Sequence, residues 1–125
     1  MKYVEQLENL EYYEQDSGEN ITYQFVVKPG TMGLMSSGRV RLKGPTKKAL
    51  DTHNGWDQVY IVLDGSGTVI VGDEEHPVGP GSVARIPNGT RHGVMLKEGE
   101  ALEYVYVNAF VNDNALQKLM RDAGL

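Results

Sequence analysis

The chain has 125 residues, 40% of them hydrophobic, and a formal charge of −5. That length suits one domain with an ordinary core, and the acidic balance argues against nucleic acid, whose phosphates require clustered Lys and Arg. The absence of cysteine excludes disulfides, thiolate nucleophiles and thiolate metal sites. No apolar stretch approaches the roughly 20 residues that span a bilayer, and the first residues lack the apolar run of a signal peptide. A soluble, cytoplasmic protein with no membrane partner is therefore expected. Lys43, Lys47 and Lys48 form the one compact basic group and read as a solvated edge.

With 15 Gly and 5 Pro, the composition favours many short strands over long helices. Residues 1–19, which carry Glu11, Tyr12, Tyr13, Glu14 and Asp16, read as a short helix or an extended lead-in. Ile21 to Val27 is β-branched and aromatic, and so a strand. Lys28-Pro29-Gly30 is a turn. Met32 to Lys43 reads as a strand pair or one long bent strand that Gly44-Pro45 ends. Gln58 to Leu63 is a strand. Asp64-Gly65-Ser66-Gly67 carries a hairpin signal, so Thr68 to Val71 is expected to pair back. Gly72 to Glu75 is a turn. Ser82 to Ile86 lies between Gly79-Pro80-Gly81 and Pro87-Asn88-Gly89. Val94 to Leu96 follows, and Leu102 to Val111 is the last strand. Turns at this spacing describe an all-β sandwich or barrel. Beyond it, Asn112 to Asn114 offer N-caps, Leu116, Leu119 and Met120 fall at helical spacing, and Gly124 is a stop. The expected organisation is a lead-in over 1–19, a β-barrel over 20–111 and a short helix over 113–123.

Three histidines are candidates for chemistry: His53, His76 and His92. His92 follows a glycine turn, a short strand and a Pro-x-Gly turn at fixed offsets. His53 lies just before the strand that opens at Gln58. His76 sits among Glu74, Glu75 and Pro77 and reads as exposed.

Gly81, Pro87, Gly89 and His92 reproduce the second motif of the cupins at every position but the closing Asn, where Leu96 stands. The first cupin motif, a glycine, a His-x-His pair, a Glu and a closing glycine, is matched more loosely. Its closing glycine is Gly65, which puts Gln58 at the Glu position, His53 at the second His and Asp51 at the first. Gly44 is displaced by one position. Over residues 35–111 the chain therefore resembles a small single-domain cupin. The resemblance implies an all-β double-stranded β-helix of jelly-roll type. It also implies a divalent metal (Zn, Fe, Mn or Ni) held by His53, Gln58 and His92, with Asp51 a fourth candidate. Some cupins with Gln at this position are thought to bind metal.

The departures change the donor set. Two imidazoles and an amide oxygen replace three imidazoles and a carboxylate, and only Asp51 would restore the anion. Period-two alternation sends Gln58, Tyr60 and Val62 to one face and Asp57, Val59, Ile61 and Leu63 to the other. Spacing to Gly65 favours Gln58 inward, whereas hydrophobicity alone favours the other face. Tyr60 is then a pocket residue, while Arg39, Arg41 and Arg85 are expected outward or facing an anion. Either Tyr104 and Tyr106 or Glu103, Val105 and Val107 line the interior. Trp56 belongs at the barrel mouth or in a dimer contact.

The resulting expectation is a metal-binding cupin acting on a small polar molecule such as a sugar or organic acid, by isomerase, lyase or dioxygenase chemistry. The alternative is a non-catalytic binder or sensor of a small ligand. A homodimer is expected, paired through the edge strand Ile21–Val27 with Tyr23 and Phe25.

Overall fold

A computed structural model describes residues 2–14, 17–46 and 49–125. Asp16 and the basic pair Lys47 and Lys48 lie outside the described residues. Among the described residues, a 3-10 turn at Leu7–Asn9 precedes nine strands: β1 (Ile21–Val27), β2 (Met35–Lys43), β3 (Asp51–Thr52), β4 (Trp56–Gly65), β5 (Gly67–Val71), β6 (Glu74–Val78), β7 (Val83–Ile86), β8 (Arg91–Met95) and β9 (Ala101–Phe110). One helix, α1 (Asp113–Ala123), ends the chain. The strands form two antiparallel sheets, in the orders β1-β2-β9-β4-β7 and β3-β8-β5-β6. Val40, Leu42, Tyr60, Val62, Leu102 and Tyr104 of the larger sheet pack with Val69 and Leu96 from the smaller sheet's side, together with Ile86. Burial of this aliphatic and aromatic set is the main force holding the sheets together.

The sheet topology corrects one expectation. Thr68 to Val71 does not pair back on Gln58 to Leu63. β4 pairs with β7 and β9, whereas β5 pairs with β6 and β8. The Asp64-Gly65 turn instead carries the chain from one sheet to the other. A register shift between Val62 and Asp64 loosens the end of β4, Gly65 takes φ 87°, and Ser66 N–H donates to Ala101 O at 2.9 Å. A turn signal is local, so it cannot say which sheet the next strand joins.

β6 differs from the turn that Gly72 to Glu75 predicts: Glu74 and Glu75 open a strand. Its sequence, Glu-Glu-His-Pro-Val, has no apolar alternation. It pairs with β5 alone, and an edge strand tolerates a proline such as Pro77. β8 begins before the expected Val94, so His92 sits within a strand.

The edge of β1 is covered by the chain's own lead-in, which corrects the expectation that this edge serves a partner. Tyr12 bridges Gln24, Tyr13 N–H donates to Tyr23 O at 2.8 Å, and Phe25 N–H donates to Glu11 O at 2.9 Å. The buried Gln24 anchors the lead-in further: its Nε2 donates to Leu7 O and Leu10 O, and its Oε1 accepts from Arg39 Nη1 at 3.2 Å. Arg39 also pairs with Glu103 at 2.6 Å, so this strand arginine meets an anion beneath the lead-in. Arg41 and Arg85 are exposed.

Helix α1 starts where Asn112 Oδ1 accepts from Ala115 N–H at 2.9 Å. It stops at Gly124, φ 72°. Leu116 is buried, while Leu119, Ala123 and Leu125 reach the cavity described next. Tyr13 Oη donates to Ala123 O at 3.0 Å, tying the lead-in to the end of the helix.

Candidate metal and ligand cavity

The space between the sheets is a cavity of about 510 Å³ that collects Asp51, His53, Gln58, Tyr60 and His92. Alternation along β4 decides the parity left open above. Gln58, Tyr60 and Val62 are buried, whereas Ile61 and Leu63 are 40% and 39% exposed. On β9 the tyrosine set lines the interior, with Tyr104, Tyr106 and Asn108 on the cavity wall.

Asp57, on the outward face of β4, secures a turn. Its Oδ1 accepts from Asn88 N–H at 2.8 Å, Asn88 Oδ1 accepts from Gly55 N–H at 2.8 Å, and Gly89 N–H donates to His53 O at 2.9 Å. The Pro87-Asn88-Gly89 turn is thereby latched to the segment that carries His53. This latch brings the two histidine-bearing segments together, with ring centroids of His53 and His92 4.7 Å apart.

Each candidate ligand has its own support. His92 is buried, and its Nδ1 lies 2.9 Å from Thr90 O. A carbonyl can only accept, so Nδ1 carries the proton and Nε2 is the nitrogen left to ligate. His53 is stacked on Trp56, centroids 4.7 Å apart, and Trp56 in turn contacts Phe110. Gln58 Nε2 donates to Asn108 Oδ1 at 2.8 Å, and Asn108 Nδ2 donates to Ser36 Oγ at 3.1 Å. Gln58 Oε1 is buried and accepts no hydrogen bond from the described residues. Such an orphan costs about 1–3 kcal/mol unless something in the cavity engages it. Asp51 is exposed at the rim, with His92 as its cross-strand neighbour. Among the described residues no three His, Asp or Glu side chains stand together as a metal-binding group. His76 is exposed beside Glu74, away from the cavity.

Asn108 and Ser36 were not singled out in the sequence. Asn108 shares the parity of Tyr104 and Tyr106, so knowing which face of β9 points inward would have found it. The Trp56–His53 stack left no signal beyond the proximity of the two residues.

Burial pushes the His53 imidazole below its ordinary 6.5. Repulsion from His92 adds to the shift and Asp51 opposes it. The folded chain thus prefers neutral His53, which is the form that binds metal. The unfolded chain takes up a proton below about pH 6.5, so stability from this group is complete above that pH and is lost as pH falls towards the folded value. Melting temperature should therefore drop between pH 7.5 and 5, and less steeply in His53→Gln. Equal slopes in thermal melts of the two proteins would refute the assignment. Burial also raises Tyr60 and Tyr104 well above the ordinary tyrosine value, with neighbouring tyrosines adding to it. Both remain phenols at neutral pH, able to donate a hydrogen bond.

The model of the cupin domain family matches residues 38–108, more than half of the chain. The chain belongs to the cupin family. Among solved structures, this cupin is similar to a predicted oxalate decarboxylase from Thermotoga maritima (TM-score 0.74, 17% identity, covering 86% of this chain and 99% of that one). It is similar also to an RmlC-like cupin from Shewanella frigidimarina (0.72, 15%, 91% and 96%). A third is the polyketide cyclase RemF from Streptomyces resistomycificus (0.69, 15%, 96% and 94%). At these identities the likeness is one of fold, and the cupin fold by itself selects no reaction. No curated protein matches the chain. No helix among the described residues is long and apolar enough to cross a membrane.

Proposed function

We propose that this cupin is a metal-binding enzyme acting on a small molecule inside its cavity. The observation that supports this best is the pairing of two close imidazoles, His53 and His92, with a buried amide oxygen on Gln58 that has no partner among the described residues. Two nitrogens and one oxygen suit Zn, Fe(II), Mn or Ni, and Asp51, at the rim of the same cavity, is the carboxylate that could turn in to balance charge. When bound, a divalent ion in this position supplies Lewis-acid polarisation of a carbonyl or activation of water. The chain's own residues do the rest. Thr90 O fixes the ring of His92. Asn108 and Ser36 hold the Gln58 amide. Tyr60, whose ring centroid lies 6.3 Å from that of His92, offers a neutral hydroxyl to a bound molecule. Leu119 and Ala123 of α1 contribute apolar surface to the same cavity.

Substitution at Gln58 tests the reading. Gln58→Glu replaces a neutral donor by an anion, and Asn108 can accommodate it by turning its amide, because Ser36 can donate as well as accept. Divalent-metal affinity measured by calorimetry should rise roughly tenfold in Gln58→Glu and fall roughly tenfold or more in Gln58→Leu, a range comparable to that for altered metal surroundings. Equal affinity in all three proteins would remove Gln58 from the ligand set. The second reading, a cupin that binds a small ligand without turnover, is favoured by the lack of a three-member His, Asp or Glu group among the described residues.

A homodimer belongs to the proposal as well, with a different face from the one expected. Ile61, Leu63 and Val83 are exposed on the outside of the larger sheet, and Ile61 and Val83 are cross-strand partners, so they form a continuous apolar patch suited to self-association. Sedimentation equilibrium should give the mass of two chains in the wild type and of one chain in Ile61→Lys. A single-chain mass for the wild type would exclude the dimer.

A further inference from the structure

Aromatic rings are prominent on the cavity wall. Tyr23, Phe25, Trp56, Tyr60, Tyr104 and Tyr106 all line it, and the Tyr60 and Tyr104 rings lie 4.7 Å apart. The polar groups include a hydrogen-bonded chain, Gln58–Asn108–Ser36, and the His53–His92 pair, whereas Ile21, Val40, Leu42, Val94 and Leu119 contribute apolar wall. Asp51 is the only charged side chain among the described lining residues.

This distribution restricts what can enter. A carboxylate or phosphate is an acceptor-only anion, and its burial requires a cation or several donors. Here it would find no described Lys or Arg on the wall and would face the charge of Asp51. A sugar carries hydroxyls around its whole ring. Those turned towards Val40 and Leu42 would be buried without partners, at a cost for each. A flat ring compound with its oxygen at one end meets both conditions. Its faces stack on the tyrosines, and its hydroxyl or keto group reaches the Gln58 amide or a histidine. A cavity of about 510 Å³ is within the range of small-molecule sites and accommodates two fused rings.

We propose that the cavity takes an uncharged, planar ring compound bearing a phenolic hydroxyl or keto group at one end, in preference to organic acids and sugars. The proposal rests on reading this cavity as the ligand site, and narrows the ligand class within it. Gly38 bears on the fit. It faces Tyr106 across β2 and β9, and a Cβ at position 38 would stand 2.5 Å from Tyr106 Cε2. Gly38 therefore leaves the Tyr106 ring room on the wall. In Gly38→Ala that ring is pushed away from β2 and narrows the space.

The test compares 2-naphthol, 2-naphthoate and D-glucose by calorimetry, on tag-free protein in EDTA and again with Zn²⁺ or Mn²⁺ added. Trp56 is the chain's single tryptophan and lies on the cavity wall, so quenching of its fluorescence places a bound ligand there. In EDTA, 2-naphthol should bind saturably and quench Trp56, with 2-naphthoate and glucose at least about tenfold weaker. Gly38→Ala should weaken 2-naphthol about fivefold or more, and the wild-type comparison stands even where that variant folds poorly. Equal or tighter binding of 2-naphthoate or glucose in EDTA overturns the proposal, as does no binding of 2-naphthol at millimolar concentration. Because the EDTA arm contains no metal, failure of the ligand class and failure of the metal centre give different results. The first leaves metal titration intact, and the second leaves 2-naphthol binding intact.

Discussion

His92→Ala should weaken divalent-metal binding by more than about 100-fold, beyond the range that follows loss of a partner supporting a ligand. The ring is 3% exposed, its Nδ1 is committed to Thr90 O, and its free nitrogen is one of only two imidazole donors in the cavity. Without it, His53 and a neutral amide remain, and Asp51 would have to turn in from the rim. The fold should survive, because the loss amounts to one hydrogen bond and some packing, roughly 1–3 kcal/mol. Calorimetric metal titration, with circular dichroism to check folding, reads the two effects apart. His76→Ala is the control. That ring is exposed and pairs only loosely with Glu74 at 3.6 Å, so its removal should leave metal binding unchanged. Retention of wild-type affinity in a folded His92→Ala protein would take His92 out of the centre.

Gly65→Ala should be the most damaging single methyl added to this chain, costing about 3 kcal/mol or more. Two effects combine there. The residue sits at φ 87°, where an L side chain is strained by roughly 1–2 kcal/mol. In addition, the added Cβ would fall on the carbonyl oxygen of Ala101, a backbone atom that cannot turn aside as a side-chain end can. At this position the chain leaves the larger sheet for the smaller one, so the damage reaches the registers of β4 and β9 that align Gln58 with Asn108. A melting temperature lower by roughly 10 °C or more is expected for a domain of this size. Gly81→Ala is the comparison: φ is 85° but an added Cβ meets nothing within 4 Å, so only the backbone strain remains. If the two variants melt together, close packing against Ala101 is not what requires glycine at position 65.

The same glycine shows how far the sequence could be read. It was visible as the closing residue of a motif and as half of an Asp-Gly turn signal. The first use counts back to Gln58, and the buried Gln58, Tyr60 and Val62 follow that parity. The second use suggested a hairpin, and the chain crosses between sheets instead, because turn chemistry governs four residues and says nothing of the partner strand. β1, β7 and α1 were legible from β-branched runs, glycine turns and a capping Asn. β6 was not, since an edge strand buries little and its residues need no apolar face. The histidine pair was legible through spacing. Asn108 and Ser36, which hold the Gln58 amide, come from strands 72 positions apart, and only the register of β2 on β9 brings them together. Asp57 takes the outward face of β4 that alternation assigns it, but its part in securing the turn that positions His53 had no signal in the sequence.

The most direct measurement is the metal content of tag-free wild-type protein, by elemental analysis before and after reconstitution with Zn²⁺, Mn²⁺, Fe²⁺ and Ni²⁺. About one divalent ion per chain is expected once the matching metal is supplied. Fewer than about 0.2 ions per chain with every metal would contradict a centre built on His53, Gln58 and His92.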